Sequence, residues 1–293
     1  EEEMPPDLTF HRFGDHIEIL YKDSRKDLIS RLSIFDNSKL ILKEEKLTIE
    51  NLFIHELEKD HKQNTDNLLY KFNYRNTGKK RDRAAIQAIN LQKKYGDFEA
   101  VKDLNLTLEY GTILGLLGAN GAGKTTSMKM LCGLTRPTAG EVKRDISHPE
   151  NSRTDKKLIG YMSQKFTLYN KLTVMENLNF YASIYEIPGT IRKEQINWAI
   201  NSFGLEGVKR SLVENLPLGW KQRISFAAAV LHDPLILFLD EPTAGVDPLA
   251  RREMWKFIRE FKRKNKAILV TTHYMEEAKY CDSLALMHGG ELV

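Results

Sequence analysis

Short apolar runs alternate with amphipathic stretches along most of the chain, and the runs have the length of buried strands. This alternation of strands and helices is typical of a three-layer α/β domain. The predicted strands are Ile86–Leu91, Leu104–Leu108, Thr112–Leu117, Lys157–Met162, Leu235–Leu239, Ala267–Thr271 and Leu284–Met287.

Residues 166 to about 230 interrupt this alternation, because their apolar positions recur with helical spacing. The periodicity predicts three helices, at Val174–Tyr185, Ile191–Phe203 and Gly219–Leu231. We therefore expect a helical lobe inserted into the sheet-and-helix core.

The N-terminal part of the chain has a different pattern and contains no catalytic motif. Ile17–Tyr21 and Leu40–Leu42 are predicted as short strands, and Asp27–Leu32 as a helical turn. Residues 61–84 are polar and basic, as in a linker. The pattern predicts a small α+β segment over residues 1–60, a linker over 61–84 and one large domain over 85–293.

A glycine-rich loop lies between the predicted strand that ends at Leu117 and a predicted helix that begins at Thr126. Such a loop turns backbone N–H groups inward and ends on a helix N-terminus, so it binds phosphates through amides, the helix dipole and one lysine. We expect it to bind ATP or GTP. Its predicted nucleotide-binding residues are Gly118, Ala119, Asn120, Gly121, Ala122, Gly123, Lys124, Thr125 and Thr126.

Two carboxylates, Asp240 and Glu241, end the apolar strand at Leu235–Leu239. A Mg²⁺ ion that bridges two phosphates needs oxygen ligands, which the Thr125 hydroxyl and Asp240 can supply. Glu241 is placed where a general base would polarise the attacking water. The alternative is an acidic helix cap, with Pro242 opening the helix.

Taken in order, these motifs resemble the nucleotide-binding domain of an ATP-binding-cassette (ABC) transporter, over about residues 86–293. The resemblance implies that Tyr95 stacks on adenine and that Gln164 contacts Mg²⁺ and water. It also implies that Asp247 contacts a second cassette and that His273 lies near the γ-phosphate. The implied catalytic residues are Glu241, His273, Gln164 and Lys124, and the implied metal ligands are Thr125, Gln164 and Asp240.

The same resemblance implies the fold, a P-loop NTPase cassette core. This is a three-layer α/β structure with an antiparallel β part and a helical subdomain inserted at about residues 166–230. A small α+β tail segment precedes it. Leu47–Leu57 resembles the helix that closes many exporter cassettes, so residues 1–60 are interpreted as the tail of a preceding cassette. An independent small module is the alternative.

One motif departs from the family. Where the family has Leu-Ser-Gly-Gly-Gln, this chain has Leu-Pro-Leu-Gly-Trp at 216–220, which retains only Leu216 and the second glycine, Gly219. Pro217 has neither a hydroxyl nor an N–H to donate. We expect this signature to serve the opposite cassette's nucleotide weakly. A Pro-Leu-Gly form is known in second cassettes of tandem multidrug-export ATPases, which this chain resembles.

The implied function is that of an ATP-hydrolysing exporter subunit with ATP and Mg²⁺ as cofactors. Its expected partners are a membrane-spanning permease and a second nucleotide-binding domain, upstream in the same full-length chain. Its expected location is peripheral, at the cytoplasmic face of the inner (plasma) membrane. Candidate permease contacts, or alternatively core residues, are Phe166, Leu168, Tyr169 and Leu172.

Composition adds two expectations. A net charge of +4, from 44 basic and 40 acidic residues, gives no reason to expect a nucleic-acid partner. No apolar run approaches the roughly 18 residues of a membrane-spanning helix. A soluble cassette acting on ribosomes or DNA, and a regulatory half that only binds nucleotide, are the rival functions.

Overall fold

A computed structural model of the 293-residue chain describes residues 9–13, 16–20, 84–145, 158–165 and 167–293. Contacts divide the chain into two units, which meet in sequence at His55 and Glu56. In the first unit, β1 (Thr9–Phe13) and β2 (His16–Leu20) form an antiparallel hairpin. β2 confirms the strand predicted at Ile17–Tyr21. The other elements predicted before residue 84, and Phe166, lie outside the described residues.

The second unit contains an antiparallel sheet of order β4-β3-β6 and a mostly parallel sheet of order β11-β10-β5-β9-β8-β7. Only β11 is antiparallel to its neighbour in the larger sheet. The strands are β3 (Ala84–Tyr95), β4 (Phe98–Glu109), β5 (Ile113–Leu117), β6 (Ala139–Arg144), β7 (Ile159–Met162), β8 (Ile236–Asp240), β9 (Ala267–Thr272), β10 (Ser283–His288) and β11 (Glu291–Leu292).

Helices α1 to α4 follow the predicted positions closely. The described α-helices are α1 (Lys124–Leu131), α2 (Val174–Ile184), α3 (Gly189–Ser202), α4 (Leu218–Val230) and α5 (Pro248–Arg263). A capping box between Thr173 and Glu176 fixes the start of α2. Within the described part of the chain, no helix is both long and apolar enough to cross a bilayer.

The larger sheet separates two hydrophobic cores. In β8, Leu237 and Leu239 pack with α2 to α5, whereas Ile236 and Phe238 pack with α1 and the antiparallel sheet. Strands buried on both faces read as continuous apolar runs, which is why β5, β8 and β9 were recognisable in the sequence. Three layers, an antiparallel part and a helical block confirm the predicted fold class.

Three strands, β1, β6 and β11, were not predicted. β6 is largely exposed and lies at the edge of its sheet, paired with β3 alone, so it carries no apolar run. β11 has two residues and pairs only with the end of β10. Helix α5 was expected only as a connection between strands, without bounds. It is amphipathic, with Trp255, Ile258 and Phe261 in the core.

Candidate active site

The phosphate-binding loop connects β5, which is buried throughout, to the first residue of α1. Gly123 has φ of 104°, and a Cβ atom there would lie 2.6 Å from the Ala100 carbonyl oxygen. A Cβ atom at Gly118 would lie 2.3 Å from the Met287 carbonyl oxygen. The loop therefore needs glycine at both positions, because strands β4 and β10 leave no space for a side chain.

Lys124 is the first residue of α1, and its side chain is only 5% exposed. Its Nζ atom donates hydrogen bonds to the carbonyl oxygens of Gly118, at 2.8 Å, and Ala119, at 3.1 Å. The same atom lies 3.6 Å from Glu241 Oε1. A buried ammonium group needs such partners. These contacts hold the lysine at the loop, where we expect the phosphates to bind.

Asp240 ends β8 and lies against α1 and β9. Its Oδ1 atom accepts hydrogen bonds from the hydroxyls of Thr125, at 3.1 Å, and Thr271, at 2.6 Å. Burial raises the pKa of the Asp240 carboxyl, and these two hydroxyls oppose the rise. Among the described residues, nothing donates to its buried Oδ2 atom. A buried carboxylate oxygen left open beside a threonine hydroxyl fits a hard cation such as Mg²⁺.

Glu241 follows Asp240 in an unusual backbone conformation, with φ of 50°. Its amide donates to the Thr271 carbonyl oxygen, at 3.2 Å, and hydroxyl, at 2.9 Å. Its Oε2 atom accepts a hydrogen bond from Gln164 Nε2 at 3.0 Å and lies 3.3 Å from His273 Nδ1. The side chain is 7% exposed. The four residues predicted to be catalytic thus meet at one carboxylate.

The sheet topology explains this convergence. Gln164 follows β7 by two residues, Glu241 directly follows β8, and His273 directly follows β9. These three strands are adjacent and parallel, so their carboxyl ends meet at one edge of the sheet. Thr271, which contacts both acidic residues, was not predicted. A hydroxyl at the end of the strand before His273 was the available signal.

The predicted adenine-stacking residue lies at the end of β3. Tyr95 pairs with Phe98 across the β3-β4 hairpin, and both rings are exposed, by 52% and 65%. The Lys93 ammonium lies 5.0 Å from the centroid of the Tyr95 ring. An exposed aromatic ring at a hairpin end is available to stack on a base, and the stacking role stays a prediction.

The divergent signature lies at the start of α4. Pro217 directly precedes this helix and is exposed, and its carbonyl oxygen accepts hydrogen bonds from the amides of Trp220 and Lys221. A Cβ atom on Gly245 would lie 2.9 Å from Leu218 Cδ2, so the signature borders the loop between Glu241 and α5.

Gly219 and Asp247 also belong to this region. A Cβ atom on Gly219 would lie 3.6 Å from the Ala250 Cβ atom, an ordinary contact. Asp247 caps α5, accepting a hydrogen bond from the Ala250 amide at 3.0 Å, with Pro248 as the first helical residue. The structure therefore gives Asp247 a capping role, and its contact with a second cassette stays a prediction.

Comparison with known proteins agrees with this geometry. Residues 101–244 match the ABC transporter family. The chain is 46% identical over 209 residues to the probable multidrug ABC transporter ATP-binding protein YbhF of Escherichia coli, covering 71% of this chain and 36% of YbhF. It is 37% identical over 212 residues to the Nod factor export ATP-binding protein I of Burkholderia lata, covering 72% and 70%. This chain belongs to the ABC transporter family.

Solved structures lead to the same family. An ATP-binding subunit of an ABC transporter shares 28% identity, with a TM-score of 0.64, over 71% of this chain and 88% of that one. The protein cbiO1 from Clostridium perfringens, part of the ABC transporter complex cbiONQ, shares 26% identity and the same TM-score over 72% and 88%. The chain thus contains an ATP-binding cassette of this family. It spans about a third, 36%, of the length of YbhF.

Proposed function

We propose that this chain binds Mg-ATP at the Lys124 loop, hydrolyses it, and thereby drives export of drugs or related compounds through a separate membrane subunit. The convergence on Glu241 carries this proposal. Lys124, Gln164 and His273 place polar nitrogen atoms 3.6, 3.0 and 3.3 Å from its carboxylate oxygens. A side chain that only capped a helix would need none of these partners.

Each residue has a role in the proposed reaction. Lys124 and the loop amides bind the β- and γ-phosphates, and Tyr95 stacks on the adenine. Thr125, Asp240 and Gln164 hold Mg²⁺, which when bound supplies positive charge to the phosphate oxygens. Glu241 accepts a proton from the water whose oxygen bonds to the γ-phosphorus, while the bond from that phosphorus to the β-γ bridging oxygen breaks and ADP leaves. Gln164 and His273 orient Glu241.

The export direction rests on relatives. One similar protein is named a probable multidrug ABC transporter ATP-binding protein, and another is named a Nod factor export ATP-binding protein. In our proposal the cassette sits at the cytoplasmic face of the inner membrane, with a permease and a second cassette as partners. Of the candidate permease contacts, Leu168 is buried and therefore better explained as core. Tyr169 is 49% exposed, edge-on to Phe180 with 4.5 Å between ring centroids, and is the better candidate.

We also propose, on the resemblance of Leu47–Leu57 alone, that residues 1–60 are the tail of a preceding cassette and residues 61–84 a linker. On that proposal the chain supplies the second cassette of a tandem protein, and Pro217, Gly219 and Asp247 face the nucleotide of the first cassette. The divergent signature then leaves the two nucleotide sites unequal, because each signature acts on the opposite site.

The experiment that tests this proposal compares Glu241→Gln with Glu276→Gln, an exposed glutamate in the turn after His273. Phosphate release and Mg-ATP binding by calorimetry are measured for both. Glu241→Gln should lose about 100-fold or more in turnover and still bind Mg-ATP, because it removes only the base. Glu276→Gln should match the wild type. Wild-type turnover by Glu241→Gln would refute the assignment of the base.

A further inference from the structure

A second group of contacts lies in the two segments that follow the catalytic residues. Thr243, two residues after Glu241, donates a hydrogen bond of 2.5 Å to Glu277 Oε1. Both residues are only 1% exposed. Glu277 lies in the short 3-10 helix Met275–Tyr280, just after His273. This bond therefore joins the loop after the catalytic carboxylate to the turn after the catalytic histidine.

The contacts continue from Glu277 to His273. Arg251, in the first turn of α5, places its Nε atom 3.9 Å from Glu277 Oε1. The guanidinium of Arg251 lies over the Tyr274 ring, 4.6 Å from its centroid. The Tyr274 ring in turn lies 4.1 Å from the His273 ring. Thr243, Glu277, Arg251 and Tyr274 thus form a contact series, which we call the rear cluster.

Burying the carboxylate of Glu277 is unfavourable, and a role in the site would account for it. Glu241 holds a backbone conformation with φ of 50° that non-glycine residues rarely adopt. Such a conformation persists only where its surroundings fix it. Thr271 fixes Glu241 at its amide, and Thr243 fixes the loop that leaves it.

We infer that the rear cluster is a positioning device that sets the separation between Glu241 and His273. This inference rests on the proposed function, because the separation between Glu241 and His273 matters only for hydrolysis. The cluster contacts the two segments that follow Glu241 and His273 in the chain. None of its described contacts involves the phosphate-binding loop. Disturbing it should lower kcat and leave KM and ATP affinity nearly unchanged.

Thr243 offers a matched pair of variants. Thr243→Val keeps the shape and removes the hydroxyl, whereas Thr243→Ser keeps the hydroxyl. A hydrogen bond to a charged group sets the scale, so we expect about a 10-fold loss of kcat for Thr243→Val and near wild-type turnover for Thr243→Ser. The melting temperature of each variant shows whether the fold is intact.

Tyr274 offers a second pair that does not touch the buried carboxylate. Tyr274→Phe keeps the ring beneath Arg251, and Tyr274→Leu removes it. We expect about a 3-fold loss of kcat for Tyr274→Leu and little change for Tyr274→Phe, in line with the size of a partly exposed cation–π contact. An equal loss in both would contradict a role for the ring.

A measurement without turnover separates this inference from the proposed function. The His273 imidazole signals, assigned by NMR with a His273→Gln variant, report the contact with Glu241 directly. Thr243→Val should shift them and Thr243→Ser should not. Shifted signals in a chain that hydrolyses no ATP would refute the proposed function and support the positioning. Active Thr243→Val protein with unchanged kcat and unshifted signals would overturn the inference.

Discussion

Around Glu241, side chains from α1 and from the ends of β7 and β9 meet within hydrogen-bonding or ion-pair distance, and the carboxylate is 7% exposed. At the start of α4, by contrast, Pro217 is exposed and its backbone carbonyl makes the described contacts. Leu218 beside it is 38% exposed. The catalytic region has its charged groups, Lys124, Asp240 and Glu241, on buried side chains, whereas the signature has a helix start and an exposed turn.

The two regions differ in whether residues of a single chain are enough to complete them. The catalytic cluster is assembled within one chain, because adjacent parallel strands bring its residues to one edge. The start of α4 has no side-chain cap, and the signature turn is exposed, which suits contact with a second molecule. Substitutions in the two regions should therefore differ in the size of their effect and in the nucleotide site that they affect.

The largest expected effect is on ATP affinity when Lys124, in the buried catalytic region, is replaced. Lys124→Ala removes the cation from the loop and leaves Glu241 buried without its ion-pair partner. A hydrogen bond to a charged group contributes about 1.5–3 kcal/mol, so ATP affinity should fall by about 100-fold. Calorimetry measures this, with Lys129→Ala in the same helix as control. Unchanged affinity for Lys124→Ala would refute the loop assignment.

The C-terminal end of α4 should be held firmly in the fold, whereas the start of this helix is exposed. His232, just beyond α4, stacks on Tyr185 with 3.6 Å between centroids, and its Nε2 atom lies 3.1 Å from the Ile159 carbonyl oxygen. Burial lowers the pKa of His232 from 6.5 to about 4. The unfolded chain then takes up the proton first, so stability present above pH 6.5 is lost as the pH falls toward 4.

Between pH 7 and pH 5 this histidine should cost the fold about 2 kcal/mol. Urea unfolding at the two pH values measures the loss. His232→Gln should reduce the dependence on pH, whereas His288→Gln, at an exposed position, should leave it as in the wild type. The same pH dependence in His232→Gln and the wild type would mean that this end of α4 is not locked through the neutral imidazole.

The sequence predicted more of the catalytic region than of its supports. Lys124, Asp240 and Glu241 were predicted because a local motif and a buried strand place them, and Gln164 and His273 because their motifs resemble the family. Their meeting at one edge follows from strand order. The bond from Thr271 to Asp240 joins residues 31 positions apart, and that from Thr243 to Glu277 joins residues 34 apart. Only the folded sheet and its loops determine such pairs.

The signature also lay partly beyond sequence reasoning. Its position before α4 was predicted, because Gly219–Leu231 has helical periodicity. The close approach of Leu218 to the loop at Gly245 was not predicted, because it joins the start of α4 to a loop from another part of the chain. Helix α5 begins at an Asp-Pro pair, with Asp247 as the cap and Pro248 as the first helical residue, and such a pair is a local signal of a helix start.

A smaller effect is expected at the signature. It differs from the effects in the catalytic region because turnover should rise. In the proposed tandem protein, Pro217→Ser with Leu218→Gly restores a hydroxyl and flexible amides at the start of α4. Turnover at the other cassette's nucleotide should rise by about 10-fold, the scale of one hydrogen bond to a charged group. Inactivating each cassette's loop lysine in turn assigns the turnover to a site.

Leu218→Gly alone is the control for this pair, because it loses the contact near Gly245 without gaining a hydroxyl. It should not raise turnover. A rise confined to the Lys124 site would mean that the signature acts within its own chain or that two copies of this chain pair. No rise at either site would leave the turn with a structural role only.

The smallest effect is expected at Tyr95, which tests whether an exposed residue can belong to the catalytic region. Its ring is 52% exposed, so stacking on adenine should contribute near the low end of base–aromatic stacking, about 1 kcal/mol. Tyr95→Ala should therefore weaken ATP binding about 5-fold, and Tyr95→Phe should leave it unchanged because the ring remains. Calorimetry with ATP and with inorganic triphosphate separates the base from the phosphates. If Tyr95→Ala weakens triphosphate binding equally, the residue shapes the loop and does not stack on the base.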